Sequence, residues 1–291
     1  MDRNALTALL LITLVLILTP YYMELVSPNK KPVNTFEEEF VQNNDFESIT
    51  PKDTAKNNQE INSAVKSIAL TEEKMTTIET DLYIAKISST YGGSIHSFKI
   101  KRHLSPDSTL VNLINGQNKR NLVASFDDYN GEKIILGDGW NGTHSYDSLY
   151  INNETSLSYI LTVGENTAKK TITFFPDSYL FDISIDFVAF SENMLGNRVS
   201  LDWVGGLPTT EKDTITDKTY FGAYLHQGGE LLDVKAGEKE SFVNEYKGKS
   251  VWVATRTKYF VASFVEGFNS EISSVTIKAD NNNKEKYDLS I

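Results

Sequence analysis

Between Tyr179 and Phe187 the chain reads YLFDISIDF, and Phe181, Ile183, Ile185 and Phe187 alternate with Asp182, Ser184 and Asp186. A period of two places successive side chains on opposite faces of an extended backbone. This stretch can therefore cover its apolar half only as a strand with one face turned inward; a helix would scatter the same residues around its circumference. Val199, Leu201 and Trp203 alternate with Ser200 and Asp202 in the same way. SLSYILTV (156–163) and KKTITFF (169–175) also read as strands, and the second reaches YLFDISIDF through FPDSY, whose Pro-Asp-Ser is turn chemistry. Further candidates are LYIAKIS (82–88), HSFKIK (96–101), EKIIL (132–136), TYFGAYL (219–225), VWVATRTKYFVASFV (251–265) and SSVTIK (273–278). Amphipathic helices longer than a few turns are missing from this pattern. Many short strands punctuated by Gly and Asn predict a mainly β fold, a large antiparallel β-sandwich over residues 78–291.

The region before those strands is different in kind. All seventeen glycines lie at or after Gly92, and four of the seven prolines lie at or before Pro51. Residues 27–77 are rich in Asn, Glu, Lys, Thr and Ser, and such a composition buries too little apolar surface to offset its ordering entropy. A flexible polar linker is expected there, with Phe36, Phe40 and Phe46 as scattered aromatics. Ahead of it, Asn4 to Met23 contains no Asp, Glu, Lys or Arg, a run of twenty residues, the length that crosses about 30 Å of hydrocarbon. Thr19-Pro20-Tyr21-Tyr22-Met23-Glu24 lacks the small residues of a cleavage site, and paired tyrosines suit a membrane boundary. Residues 1–26 are thus expected to be a transmembrane anchor helix that stays, in preference to a signal that is removed. The long acidic remainder is expected on the exported side.

Composition narrows the chemistry. A net charge of -11 opposes a nucleic-acid partner, and zero cysteines removes disulfides, thiolate metal sites and thiol nucleophiles together. GDGWNG (137–142) spells a dinucleotide fingerprint, but the residues after it lack the helical apolar stripe that must meet a pyrophosphate, so a glycine-rich turn around Trp140 is expected. DDYNGEK (127–133) resembles a calcium loop only until Gly131 is aligned with the turn glycine, which puts Phe126 and Gly137 at ligand positions; a hairpin turn at Asn130-Gly131 is expected instead. His96, His103, His144 and His226 are too far apart to form a local ligand pair. His226 and Glu230 in LHQGGEL are the one candidate acid–base pair, set against surface residues in a hairpin. Asn141-Gly-Thr and Asn153-Glu-Thr are glycosylation sequons only in a eukaryotic secretory route. No catalytic, cofactor-binding or metal-binding residue is assigned.

The start MDRN, the apolar segment, the polar tether and the β-rich body together resemble the amino-terminal part of the bacterial YidC membrane protein insertases. LYIAKISSTYGGSIHSFKIKRH (82–103) is similar to that family's opening strand, Gly-Gly turn and second strand. KTITFFPDSYLFDISIDF (170–187) is similar to its central hairpin, and SVWVATRTKYFVASFV (250–265) to its Trp-containing strand followed by Lys-Tyr-Phe. The resemblance implies a periplasmic β-supersandwich beside a first transmembrane helix in the bacterial inner membrane. It also implies a role in inserting and folding integral membrane proteins without covalent chemistry or cofactor. The implied partners are Sec translocon components, nascent integral membrane proteins and the lipid bilayer, and not nucleic acid. The family's later membrane helices are expected beyond Ile291, where KYDLSI still alternates as a strand, so the chain is expected to be a piece of a longer protein. The competing reading is a membrane-tethered carbohydrate-binding or mutarotase-like sandwich, and a third is an envelope scaffold.

Overall fold

The computed structural model describes residues 71–114, 121–190, 194–235, 241–268, 270–280 and 283–291. The anchor expected at 1–26 and the linker up to residue 70 lie outside the described residues. Among those described, no helix is long and apolar enough to cross a membrane. The first strand begins at Met75, slightly ahead of the boundary expected at residue 78.

The described region is mainly β, and its strands, numbered in chain order, form three sheets. The first has the order β4 (Leu110–Asn112), β3 (Ser94–Leu104), β2 (Tyr83–Ser88), β1 (Met75–Glu79) and β8 (Ser148–Tyr150). The second runs β11 (Phe181–Val188), β10 (Asn166–Phe174), β9 (Thr155–Val163) and β7 (Asn141–Gly142). The third is the largest: β14 (Glu230–Val234), β13 (Gly222–Gln227), β15 (Phe242–Arg256), β17 (Ile272–Asp280), β18 (Asn283–Ser290), β12 (Ser200–Trp203), β5 (Asn121–Asp127) and β6 (Lys133–Ile135). Strand β16 (Val261–Val265) pairs with β15 as a side branch. The pairings are antiparallel except that of β1 with β8. A five-residue helix, α1 (Thr214–Lys218), is capped by Asp213, whose Oδ1 accepts from the Thr216 amide at 3.1 Å. Asp213→Ala is expected to lower the urea midpoint slightly, because the Thr216 amide loses its capping acceptor.

Alternation predicts the paired strands well. In β9 the residues Leu157, Tyr159, Leu161 and Val163 are buried, and in β10 so are Ala168, Lys170, Ile172 and Phe174. The turn between β10 and β11 falls at the expected Pro-Asp pair. One expectation is corrected: VWVATRTKYFVASFV is not one strand. The Thr257 amide donates to the Phe260 carbonyl at 2.8 Å and the Thr257 hydroxyl accepts from the Phe260 amide at 3.2 Å, so the chain reverses there and β16 folds back on β15.

Two buried apolar clusters hold these sheets. One joins Ile78, Tyr83, Ile87 and Phe98 to Leu122, Phe126, Trp140, Tyr159, Ile172 and Phe174. The other lies under β13, β15, β17 and β18 and includes Leu225, Val253, Val275, Ile277 and Leu289. Trp203, Phe264 and Ile291 pack against both.

Sheet one meets sheet three through a side chain acting as backbone. Asn121 at the start of β5 accepts from the Ile95 amide at 2.7 Å and donates to the Ile95 carbonyl at 2.8 Å, both buried. Its carboxamide thus completes for β3 the pair of bonds a neighbouring strand would supply. Asn121→Ala would orphan both groups, and at about 1–3 kcal/mol for each unsatisfied buried partner the loss should be roughly 3 kcal/mol. Urea unfolding of the variant at neutral pH checks this.

Candidate functional site

A strand that lies inside a sheet shows a cavity only one of its faces, so alternate residues line it. A cleft of about 2230 Å³ breaks that rule along several strands. Every residue from Tyr179 to Phe187 lines one wall, and every residue from Tyr259 to Val265 lines another. Ile272–Ser274 of β17 and Ser200–Leu201 of β12, both inside a sheet, line it consecutively too, so lining alone does not mark an edge. Strand order marks two of them as edges: β11 ends its sheet beyond β10, and β16 pairs with β15 alone. This explains why Phe181, Ile183, Ile185 and Phe187, expected to face a core, are only half-buried. Beside them stand Phe98, Trp203, Phe260 and Phe264, so the cleft is apolar within. Trp203 is held in place by its indole N–H, which donates to the Gly206 carbonyl at 3.2 Å. His103 also lines the cleft, with its ring edge-on to Phe260 at 5.7 Å.

The lining charge is unbalanced. Asp182 and Asp186 stand on the β11 wall, Glu245, Glu266 and Glu271 on the β15–β17 side, and Asp127 and Glu211 also line the cleft. Against these seven carboxylates stand Arg102, Lys133 and Arg198. Lys133 is already engaged by Asp202 at 3.3 Å, while Glu266 is engaged by Lys249 at 2.8 Å. Asp182 and Asp186 alternate with the apolar row of β11 and stand exposed on its other face, Asp186 across from Lys169 of β10.

The volume decides what class of occupant fits. Small-molecule pockets run to about 300–1,000 Å³, and this cleft exceeds that at least twofold. A polypeptide segment suits it better than a monosaccharide.

The sequence-predicted chemical residues do not converge on this cleft, His103 apart. His226 on β13 stands opposite Leu231, whereas Glu230 stands opposite Gln227. Since cross-strand partners share a face and neighbours along a strand do not, His226 and Glu230 point to opposite faces and form no acid–base pair. The hairpin between them turns at Gly228 and Gly229, both at positive φ (61° and 83°), and the His226 ring stacks on Trp252 at 6.0 Å. His144 shares a 2.9 Å hydrogen bond between its Nε2 and the Thr76 hydroxyl, and burial lowers its pKa. His96 lies on β3, seven residues before His103, and is paired with none of the other three by any hydrogen bond among the described residues. No cluster of three or more His, Asp or Glu among the described residues could hold a metal.

GDGWNG is the glycine-rich turn expected of it. Trp140 is buried, and its indole N–H donates to the Leu136 carbonyl at 3.1 Å. DDYNGEK is a hairpin turn joining β5 to β6, with Asp128 Oδ1 accepting from the amides of Asn130 (2.9 Å) and Glu132 (2.8 Å). Of Asn130 and Gly131, only Gly131 takes positive φ.

Lys170 was not legible as special. It occupies an inward position of β10 and is wholly buried, and its ammonium donates to the carbonyls of Tyr91 (3.2 Å) and Leu122. Both acceptors have positive φ, 58° at Tyr91 and 54° at Leu122. Leu122 is the extra residue of a β-bulge, because Val123 pairs with Asp202 and Asn121 with Trp203. Lys170 therefore receives two carbonyls that irregular backbone turns away from the ladders. The available signal was register: counting back by two from Phe174 and Ile172 puts Lys170 in the core.

The family model of the YidC periplasmic domain matches residues 75–290, from the first residue of β1 to the last of β18. A membrane protein insertase YidC from Chlorobaculum parvum is 31% identical over 278 residues, which cover 91% of this chain and 46% of the relative. One from Prosthecochloris aestuarii is 29% identical over 277 residues, covering 93% and 47%. One from Chlorobaculum tepidum is 34% identical over 200 residues, covering 66% and 33%. The chain thus spans about half the length of most of the curated relatives it matches. The family-model match over residues 75–290, with a relative 31% identical over 91% of the chain, places this chain in the YidC family, in the part that family builds as its periplasmic domain.

Proposed function

We propose that this chain is the anchor and periplasmic part of a membrane protein insertase, with residues 1–26 in the inner membrane, 27–77 as a pliant linker and the β-supersandwich from residue 78 in the periplasm. The observation that carries this reading is the family match across residues 75–290, together with relatives named as insertases over more than nine-tenths of the chain. An insertase relieves a physical difficulty and makes no bond: each unpaired polar group moved into hydrocarbon costs several kcal/mol. The cleft's apolar walls suit such work. Nascent integral membrane proteins and the bilayer are the partners this function needs. Sec translocon components are a further expected partner of the periplasmic domain, reached through its exposed sheet edges.

Depleting the protein from its own cells tests the function. Newly made integral membrane proteins should accumulate uninserted and protease-sensitive on the cytoplasmic side, and restored expression should reverse this. Unchanged insertion after depletion would contradict the reading.

A further inference from the structure

The edges of β11 and β16 differ in a way that selects one of them. Exposed edge strands template pairing with other chains, and proteins blunt them with charge. Strand β11 carries Asp182 and Asp186 and is blunted. Strand β16 reads VASFV, with no charge, and Val261 and Val265 are 62% and 56% exposed.

Its backbone is open as well. The Glu266 amide donates to the Val251 carbonyl and the Thr257 amide to the Phe260 carbonyl, which fixes the parity of the β15–β16 ladder. Residues 260, 262, 264 and 266 face β15, so Val261, Ser263 and Val265 turn both N–H and C=O outward. No other strand among the described residues meets that edge.

From this we infer that β16 is a docking edge, on which an extended apolar segment bearing Lys or Arg adds as one further strand within the cleft. The inference rests on the cleft being the site where the periplasmic domain engages polypeptide. Main-chain bonds to Val261, Ser263 and Val265 supply the pairing, and the alternate side chains of the guest meet Phe264 and the β11 apolar row. Charge selects the guest: seven carboxylates against three cations line the cleft, and a second copy of this chain, at -11, is repelled.

The test uses the full chain in lipid nanodiscs and fluorescent seven-residue peptides alternating Val and Thr. With lysine at both ends the peptide should bind. Glutamate at both ends, or N-methylation of the amides along one edge, should each weaken binding about tenfold or more. Ser263→Pro, which blocks the outward edge while leaving the bonds to β15, should match the loss from N-methylation. Asp182→Asn with Asp186→Asn, which removes two of the seven lining carboxylates, should reduce the preference for lysine. Since N-methylation leaves the protein native, a misfolded proline variant would not blunt the test. Equal binding of all peptides, stronger binding of a helix-forming peptide, or self-association of the chain through β16 would overturn strand addition while sparing the cleft as a site. Binding of no peptide, with no cross-links formed at the cleft in cells, would remove both.

Discussion

Unfolding of the β domain should become markedly harder as pH rises from 6.5 to 9.5, and replacing one buried lysine should flatten that rise. Lys170 is wholly buried with two carbonyls and no carboxylate, and desolvation lowers its pKa from 10.5 to about 7. Between those values the unfolded chain holds a proton that the folded chain has released. Folding therefore grows more favourable with pH across that window, and the full penalty is felt below about pH 7. The whole shift corresponds to on the order of 5 kcal/mol, of which roughly 3 falls between pH 6.5 and 9.5. Lys170→Met fills the space without a titrating group. Urea unfolding at both pH values should show the difference between native protein and variant changing by that amount. A parallel pH dependence in the two proteins would mean that Lys170 keeps its charge in the fold.

The second large effect is expected at Gly92. It lies between Tyr91 and Gly93 in a run of three residues with positive φ (58°, 69° and 99°). A Cβ placed on it would come within 2.8–3.0 Å of the Trp140 indole. That ring is buried and tied to the Leu136 carbonyl, so it has nowhere to move. Left-handed backbone strain of about 1–3 kcal/mol and an overpacking penalty of similar size predict a loss near 4 kcal/mol for Gly92→Ala. Against a typical total of about 5–15 kcal/mol, that variant should be at the margin of folding. Thermal unfolding checks it, and a shift of only a degree or two would show that the turn has room.

These two residues also mark what the sequence could disclose. The paired strands were legible because alternation reports burial of one face, as in β9 and β10. Strand β5, NLVASFD, hid because six consecutive residues are buried and no alternation survives. The first half of β15, FVNEYKGKS, hid for the opposite reason, since it is largely polar and exposed. The Gly-Gly turn was visible as composition, but its collision partner, Trp140, lies far along the chain. The cleft could not be read at all. YLFDISIDF and YFVASFV look like core strands, and only the tertiary arrangement leaves each without a second neighbour. Edge position is a property of topology, and hydrophobic pattern carries no mark of it beyond the presence of aspartates in one strand and their absence from the other. The family resemblance supplied what local pattern could not, and the match over residues 75–290 bears it out.

The central claim is that the space between β11 and β16 is where this domain meets other polypeptides. A photo-reactive amino acid placed at Phe264 of the full chain in living cells tests it most directly, with Lys235, exposed on the far side of β13, as the control position. Cross-links from Phe264 to newly synthesised membrane proteins or translocon subunits, with few or none from Lys235, are the predicted result. Equal labelling from both positions, or none from Phe264 while membrane insertion proceeds normally, would contradict the claim.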